Sequence, residues 1–145
     1  MGKKIIGRID KANFPELALT EIAIKIDTGA YTSSIHCSEI YVENKLLHCK
    51  ILDPDHPNYN DRKFIFRDFK SIRVKSSNGI AENRYEIKTQ IELFNKTYKI
   101  ALSLSNRKEM KYPVLIGRRF LTKKFIVDTE LANISFNQQA NNHEY

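Results

Sequence analysis

An aspartate, a hydroxyl and a glycine follow one another at Asp27-Thr28-Gly29, with the small Ala30 behind them. A single carboxylate activates water poorly near neutral pH, because it must be ionised to take a proton and protonated to give one. Two carboxylates that share a proton divide the work: one draws a proton from water while the other protonates a substrate carbonyl. Asp27 is the only aspartate in an Asp-Thr-Gly context, since Asp128-Thr129-Glu130 lacks the glycine. One chain therefore supplies half of such a site, and a symmetric copy would bring the second Asp27 to face it across a two-fold axis. In that arrangement Gly29 lets backbone amides approach the carboxylates, Thr28 hydrogen-bonds across the axis, and Ala30 leaves room for substrate. The bland reading of the same tripeptide is a strand-ending turn. A second group of reactive types is His36-Cys37 with His48-Cys49. Neighbours on a strand point to opposite faces, so at most one residue of each dipeptide faces a given side, and two ligands do not make a structural zinc site. Buried thiols and ordinary histidines are expected there, with no metal and no cofactor.

These residues need elements to hold them. The alternation Ile22/Ile24/Ile26 predicts a half-buried strand over Glu21 to Ile26 that delivers Asp27 at its tip. Further strands are expected at Ile5 to Ile9, Tyr31 to Cys37, Leu46 to Leu52, Lys63 to Lys75, Ile80 to Leu93 and Thr97 to Leu104. Asn78-Gly79 is a hairpin signal because both residues accept positive φ, and Phe94-Asn95-Lys96 marks another reversal. The segment from Asp53 to Asp61 is a polar, proline-broken loop. A helix of one or two turns is expected from Gly117 to Lys124, then strand again at Phe125 to Asp128 and Ala132 to Phe136. Many short strands with turn signals between them argue for an all-β barrel or sandwich. The expected organisation is one domain over residues 1–136, with a polar, flexible tail over 137–145.

At 145 residues the chain is long enough to bury a core without metal or disulfide staples. No apolar stretch reaches the length of a membrane span. The basic start, Met1 to Arg8, has no long apolar segment behind it, so no export signal is expected. A cytoplasmic setting follows, with Cys37 and Cys49 as thiols. The net charge of +7 says that an anionic partner or substrate has to be considered. A nucleic-acid-binding β-barrel is one such reading, with Tyr85, Phe94 and Tyr98 among basic residues. Most aromatics, such as Phe64/Phe66, fall instead at alternating, core-like positions, so nucleic acid is not the expected partner.

Downstream of the aspartate stands Tyr112-Pro113-Val114-Leu115-Ile116-Gly117-Arg118-Arg119, an apolar run closed by a glycine and two arginines. Asp-Thr-Gly-Ala followed later by two apolar residues and a glycine opening a short helix resembles the retropepsin-like aspartic peptidases. The resemblance narrows to a bacterial subgroup named ATP-dependent zinc proteases. It is carried by Asp27 to His36, by Arg73, Ser76 or Ser77, Gly79, Glu82 and Arg84, and by Asn106-Arg107, Met110, Pro113, Ile116-Gly117-Arg118 and Val127-Asp128. It covers roughly Ile22 to Asp128 and departs at Tyr31, where the subgroup usually has arginine.

The resemblance implies a closed, retropepsin-like barrel with one short C-terminal helix. It also implies a homodimeric aspartic endopeptidase with Asp27, Thr28 and Gly29 as the catalytic loop. Proteins of this subgroup tend to be associated with ligases that add glutamates to ribosomal protein. Arg73, Arg84, Arg107 and Arg118 fall in the matching segments, and arginine clamps carboxylates in a two-pronged geometry. Together with Ala30 they are the candidate substrate-binding residues of a basic cleft selecting acidic, glutamate-rich peptides; an ion-pairing role is the alternative for each arginine. A flap over the site would come from Asp53 to Asp61 or, preferably, from Ser76 to Gly79. The subgroup's name finds no support in motifs. No glycine-rich loop ends in Gly-Lys-Ser/Thr, and no His-Glu-x-x-His is present. A metal-dependent peptidase and a non-catalytic basic barrel that binds a partner are the competing readings.

Overall fold

The computed structural model describes residues 2–75, 79–106 and 111–142. Ser76, Ser77, Arg107 and Met110, which carry part of the resemblance, lie outside the described residues. In chain order the elements are β1 (Lys4–Ile6), β2 (Ile9–Phe14), a 3₁₀ turn (Pro15–Leu17), β3 (Leu19–Ile26), β4 (Ser33–Glu43) and β5 (Leu46–Ile51). There follow β6 (Lys63–Phe66), β7 (Lys70–Lys75), β8 (Ala81–Leu93), β9 (Lys96–Ser105), β10 (Val114–Ile116), α1 (Arg118–Leu121), β11 (Phe125–Val127) and α2 (Ile134–Asn142).

Six strands close on themselves in the order β10–β3–β2–β8–β9–β4, and β4 returns to β10. Closure removes the unpaired edges that an open sheet would expose. The short β10 makes it possible: it runs parallel to β3, with Ile116 opposite Ile26, and antiparallel to β4, with Val114 opposite Ile35. Alternation fills the interior, where Phe14, Ile22, Ile24, Ile35, Ile87, Ile91 and Leu102 are all buried.

Two long strands leave the barrel. β4 pairs with β9 through Ser33–His36, and from Cys37 onward turns to β5, which in turn pairs with β6. The switch coincides with a shift in register between Ser38 and Tyr41, where Glu39 has φ of 51°. Likewise β8 pairs with β7 through its first six residues and with β9 from Glu86 onward. The reversals at Asn44-Lys45 and Phe94-Asn95 each hold two successive residues at positive φ, as a tight hairpin between twisted strands requires. Among the described residues no helix is long and apolar enough to cross a membrane.

Three expectations need correction. The run Lys63 to Lys75 is two strands, β6 and β7, broken over residues 67–69. The fold has a second helix besides α1, because Ala132 to Phe136 is not a strand: α2 begins at Ile134 and continues to Asn142. The cause lies far away in sequence. The carboxylate of Asp10, on β2, receives the Ser135 N–H on Oδ2 at 3.0 Å and the Phe136 N–H on Oδ1 at 3.1 Å. Amides of a first helical turn have no partner within the helix, and here a buried aspartate from another element supplies one. Ser135 then accepts the Phe94 N–H at 2.7 Å, tying α2 to the β8–β9 turn.

Candidate active site

Asp27 leaves the end of β3 with its backbone still bound to the barrel, its N–H donating to the Ile116 carbonyl at 2.8 Å. The chain then turns sharply: the Ala30 N–H donates to the Asp27 carbonyl at 3.2 Å, and the Gly29 N–H donates to Asp27 Oδ1 at 3.1 Å. The carboxylate is partly exposed, and Thr28 and Gly29 beside it are exposed. Among the described residues no side chain or amide holds Asp27 Oδ2. The turn therefore pins one oxygen of a carboxylate and presents the other.

The far side of this loop is locked by the segment after β10. Arg118 N–H donates to the Ala30 carbonyl at 2.8 Å and Arg119 N–H to the Tyr31 carbonyl at 2.9 Å. These are first-turn amides of α1, and the Asp27 loop consumes them in place of a side-chain cap. Gly117 has to be glycine for packing reasons. A Cβ there would stand 2.6 Å from the Thr32 carbonyl oxygen and 2.7 Å from that of Tyr31. Its N–H donates to Ser33 Oγ at 2.9 Å. Gly117-Arg118-Arg119 is thus a backbone clamp on residues 30–33.

Arg118 adds its side chain, Nη1 donating to the Thr28 carbonyl at 3.0 Å while the guanidinium lies 5.9 Å from the centre of the Tyr31 ring. Tyr31 is 60% exposed beside the turn. The structure brings Asp27, Thr28, Gly29, Ala30 and Arg118 together. It does not bring Arg73 and Arg84 into a hydrogen bond or ion pair with them: both lie on the β7–β8 hairpin, Arg73 exposed and Arg84 bound through Nε to Glu82 Oε1 at 2.7 Å. Arg107 lies outside the described residues.

The histidine and cysteine group comes apart as strand geometry demands. Cys37 and Cys49 are buried against each other, and burial followed by the neighbouring thiol pushes the Cys37 thiol well above its usual range. His48 stacks on Tyr41 with ring centres 4.7 Å apart. His36 turns the other way, its Nε2 meeting Asp53 Oδ2 at 2.6 Å and its Nδ1 facing the Ser105 carbonyl at 3.2 Å. Zinc needs converging donors and ionised thiols. Among the described residues no three His, Cys, Asp or Glu side chains could hold a metal ion together. These residues do not fit a zinc centre.

The His36–Asp53 pair was invisible in sequence, and it anchors the Asp53–Asp61 segment at its root. The other end is held by Lys50 Nζ to Asp61 Oδ1 at 2.7 Å and Tyr59 OH to the same oxygen at 2.8 Å. The rings of Tyr85, Phe94 and Tyr98 pack against Phe69, Phe125 and Phe120 rather than lining up on an open face.

Over residues 5–138 the chain matches the family described as retropepsin-like aspartic endopeptidase RimB. It is 34% identical over 135 residues to a "Probable alpha-L-glutamate ligase" of Desulfotalea psychrophila, covering 90% of this chain and 29% of that protein. It is 36% identical over 130 residues to one of the same name from Shewanella pealeana, covering 87% of this chain and 28% of that one. The chain thus spans less than a third of the curated relatives it matches. A solved protein of unknown function from Legionella pneumophila superposes with a TM-score of 0.68 at 27% identity, covering 92% of this chain and 99% of that one.

Proposed function

The chain belongs to the RimB-like family of retropepsin-like aspartic endopeptidases, and from that premise we propose that it hydrolyses peptide bonds as a homodimer, with Asp27 of each subunit as catalyst. The observation that carries this reading is the turn at Asp27, which fixes Oδ1 on the Gly29 amide and leaves Oδ2 presented beside exposed Thr28 and Gly29. Two such turns facing each other would share one proton. One carboxylate then takes a proton from the attacking water and the other gives its proton to the scissile carbonyl oxygen. Thr28 reaches across the axis, Ala30 leaves space for the substrate, and Arg118 braces the loop through the Thr28 carbonyl.

Acidic, glutamate-rich peptides are the proposed substrates. The net charge of +7 favours them, and so do relatives whose name is that of a glutamate ligase. Arg73 is the exposed arginine on the hairpin available to such a substrate, whereas Arg84 already has Glu82. A metal-dependent mechanism is not proposed, since among the described residues the donors do not converge.

The test compares hydrolysis of glutamate-rich and neutral peptides by the wild type and by Asp27→Asn, with and without chelator, alongside the solution mass of each. The expected result is cleavage by a dimer, indifferent to chelator, faster on the acidic peptide and lost in the still-dimeric variant. Activity that survives Asp27→Asn, or that requires metal, overturns the aspartic mechanism.

A further inference from the structure

Glu86 sits where β8 changes partners. It lies opposite Lys70 of β7 on one side and opposite Ser103 of β9 on the other. Its side chain is only 2% exposed, and no step proposed above uses it. Burying a carboxylate is costly unless it is paired, and two cations from different elements share this one. Lys70 Nζ stands 3.5 Å from Oε1, which makes no hydrogen bond, and Arg119 Nη1 stands 3.4 Å from Oε2.

Each contact leads somewhere different. Lys70 is the root of the β7–β8 hairpin. Arg119 belongs to the clamp whose backbone holds the Tyr31 carbonyl. Ser103, the register partner of Glu86, donates to the Ser33 carbonyl at 3.2 Å, and Ser33 in turn accepts the Gly117 N–H. A closed circuit therefore runs from Glu86 through Arg119, the Tyr31–Ser33 segment and Ser103, back to Glu86. Of the hairpin's two strands, β8 carries Glu86 itself and β7 joins the circuit through Lys70. The side of the circuit beside Thr32 and Ser33 opens on a cleft of about 490 Å³ that Glu86 and Arg119 also line, so the guanidinium has room to move relative to the carboxylate.

We infer that Glu86 is a positioning residue, which couples the β7–β8 hairpin to the segment running on from Asp27 and holds the two in one register. Its bearing on catalysis rests on the peptidase reading, but the coupling itself does not. A purely local salt bridge would stiffen only what it touches. A coupling residue must transmit a change at Lys70, 58% exposed and on the hairpin, to residues 28–33, with which Lys70 shares no hydrogen bond or ion pair.

Amide hydrogen exchange on the full chain decides this, with Glu86→Gln and the milder surface variant Lys70→Met. The expected result is a loss of protection in residues 28–33 together with residues 70–75 and 81–85 in both variants, while β2 and β3 keep theirs. Loss confined to the hairpin in Lys70→Met, or none in either variant, overturns the proposal. Should Glu86→Gln fail to fold, Lys70→Met alone distinguishes coupling from a local contact. Where wild type cleaves peptide, Glu86→Gln should lower kcat about ten- to a hundredfold with KM unchanged, and a change in KM alone refutes a positioning role. A wild type without activity refutes the peptidase reading and leaves the exchange result standing.

Discussion

Asp10 lies on β2 and Asp27 follows the end of its partner strand β3, and their surroundings leave the same side chain in opposite states. Asp10 is buried, and its two oxygens accept the amides of Lys11, Ser135 and Phe136. Burial pushes its carboxyl above the usual aspartate value, and those three amides pull back against the rise. Both oxygens are engaged and buried away from any substrate, so Asp10 is a clasp. Asp27 is partly exposed, spends one oxygen on Gly29, and stands on a turn whose other face is held by the Arg118 and Arg119 amides and by the Arg118 guanidinium. In the proposed site, what an aspartate can offer a substrate depends on how many acceptor positions the fold leaves unspent, rather than on residue type.

Exchanging the two aspartates in turn is the strongest test of that contrast. Asp27→Asn should lower peptide hydrolysis about 10²- to 10⁴-fold, the scale of a lost general acid–base, with its thermal midpoint unchanged. Asp10→Ala should do the reverse, keeping kcat while losing roughly 0.5–2 kcal/mol, the worth of a helix cap. Steady-state kinetics beside thermal melts separates the two, and a Tm loss at Asp27 with none at Asp10 breaks the comparison.

The turn that presents Asp27 depends on Gly117. Gly117→Ala should cost about 1–3 kcal/mol as overpacking, because its Cβ would meet two backbone carbonyls that cannot step aside. Activity should fall with it, since the clamp on residues 30–33 is displaced. Asp53→Ala should cost about 1–3 kcal/mol, as for a buried partner left unsatisfied, by stranding His36. It should not alter the pH profile of peptide hydrolysis, because that pair holds the Asp53–Asp61 segment rather than the Asp27 turn.

The smallest effect sharpens the account of Asp10. Its folded carboxyl holds a proton more tightly than the unfolded chain does. The stability contributed by this titration is fully present below the ordinary aspartate value and is lost as pH rises through the raised, folded one. The stability gap between wild type and Asp10→Ala should therefore be wider in acid than at neutral pH. Denaturant melts across that range measure it, and a gap that narrows on acidification contradicts the raised value.

What sequence alone determined about this chain is local. The alternation at Ile22/Ile24/Ile26 sets a strand because side chains on a pleated backbone alternate faces. Asp27-Thr28-Gly29 sets a turn because small residues let the amide reach the carboxylate, and Ile116-Gly117-Arg118 sets the apolar strand and the start of α1. Family membership was legible in those segments for the same reason. Tertiary structure decided whatever depended on partners distant in the chain. Ala132 to Phe136 reads as strand by its i, i+2 apolar spacing, yet becomes helix because Asp10, more than a hundred residues away, satisfies its first amides. Glu86 acquires its surroundings only in the fold, where the fork between β7 and β9 buries it between Lys70 and Arg119. His36 acquires its role only when β4 leaves the barrel and meets Asp53. Backbone and side-chain periodicity are written residue by residue, whereas the satisfaction of a buried polar group is settled only once the chain has closed around it.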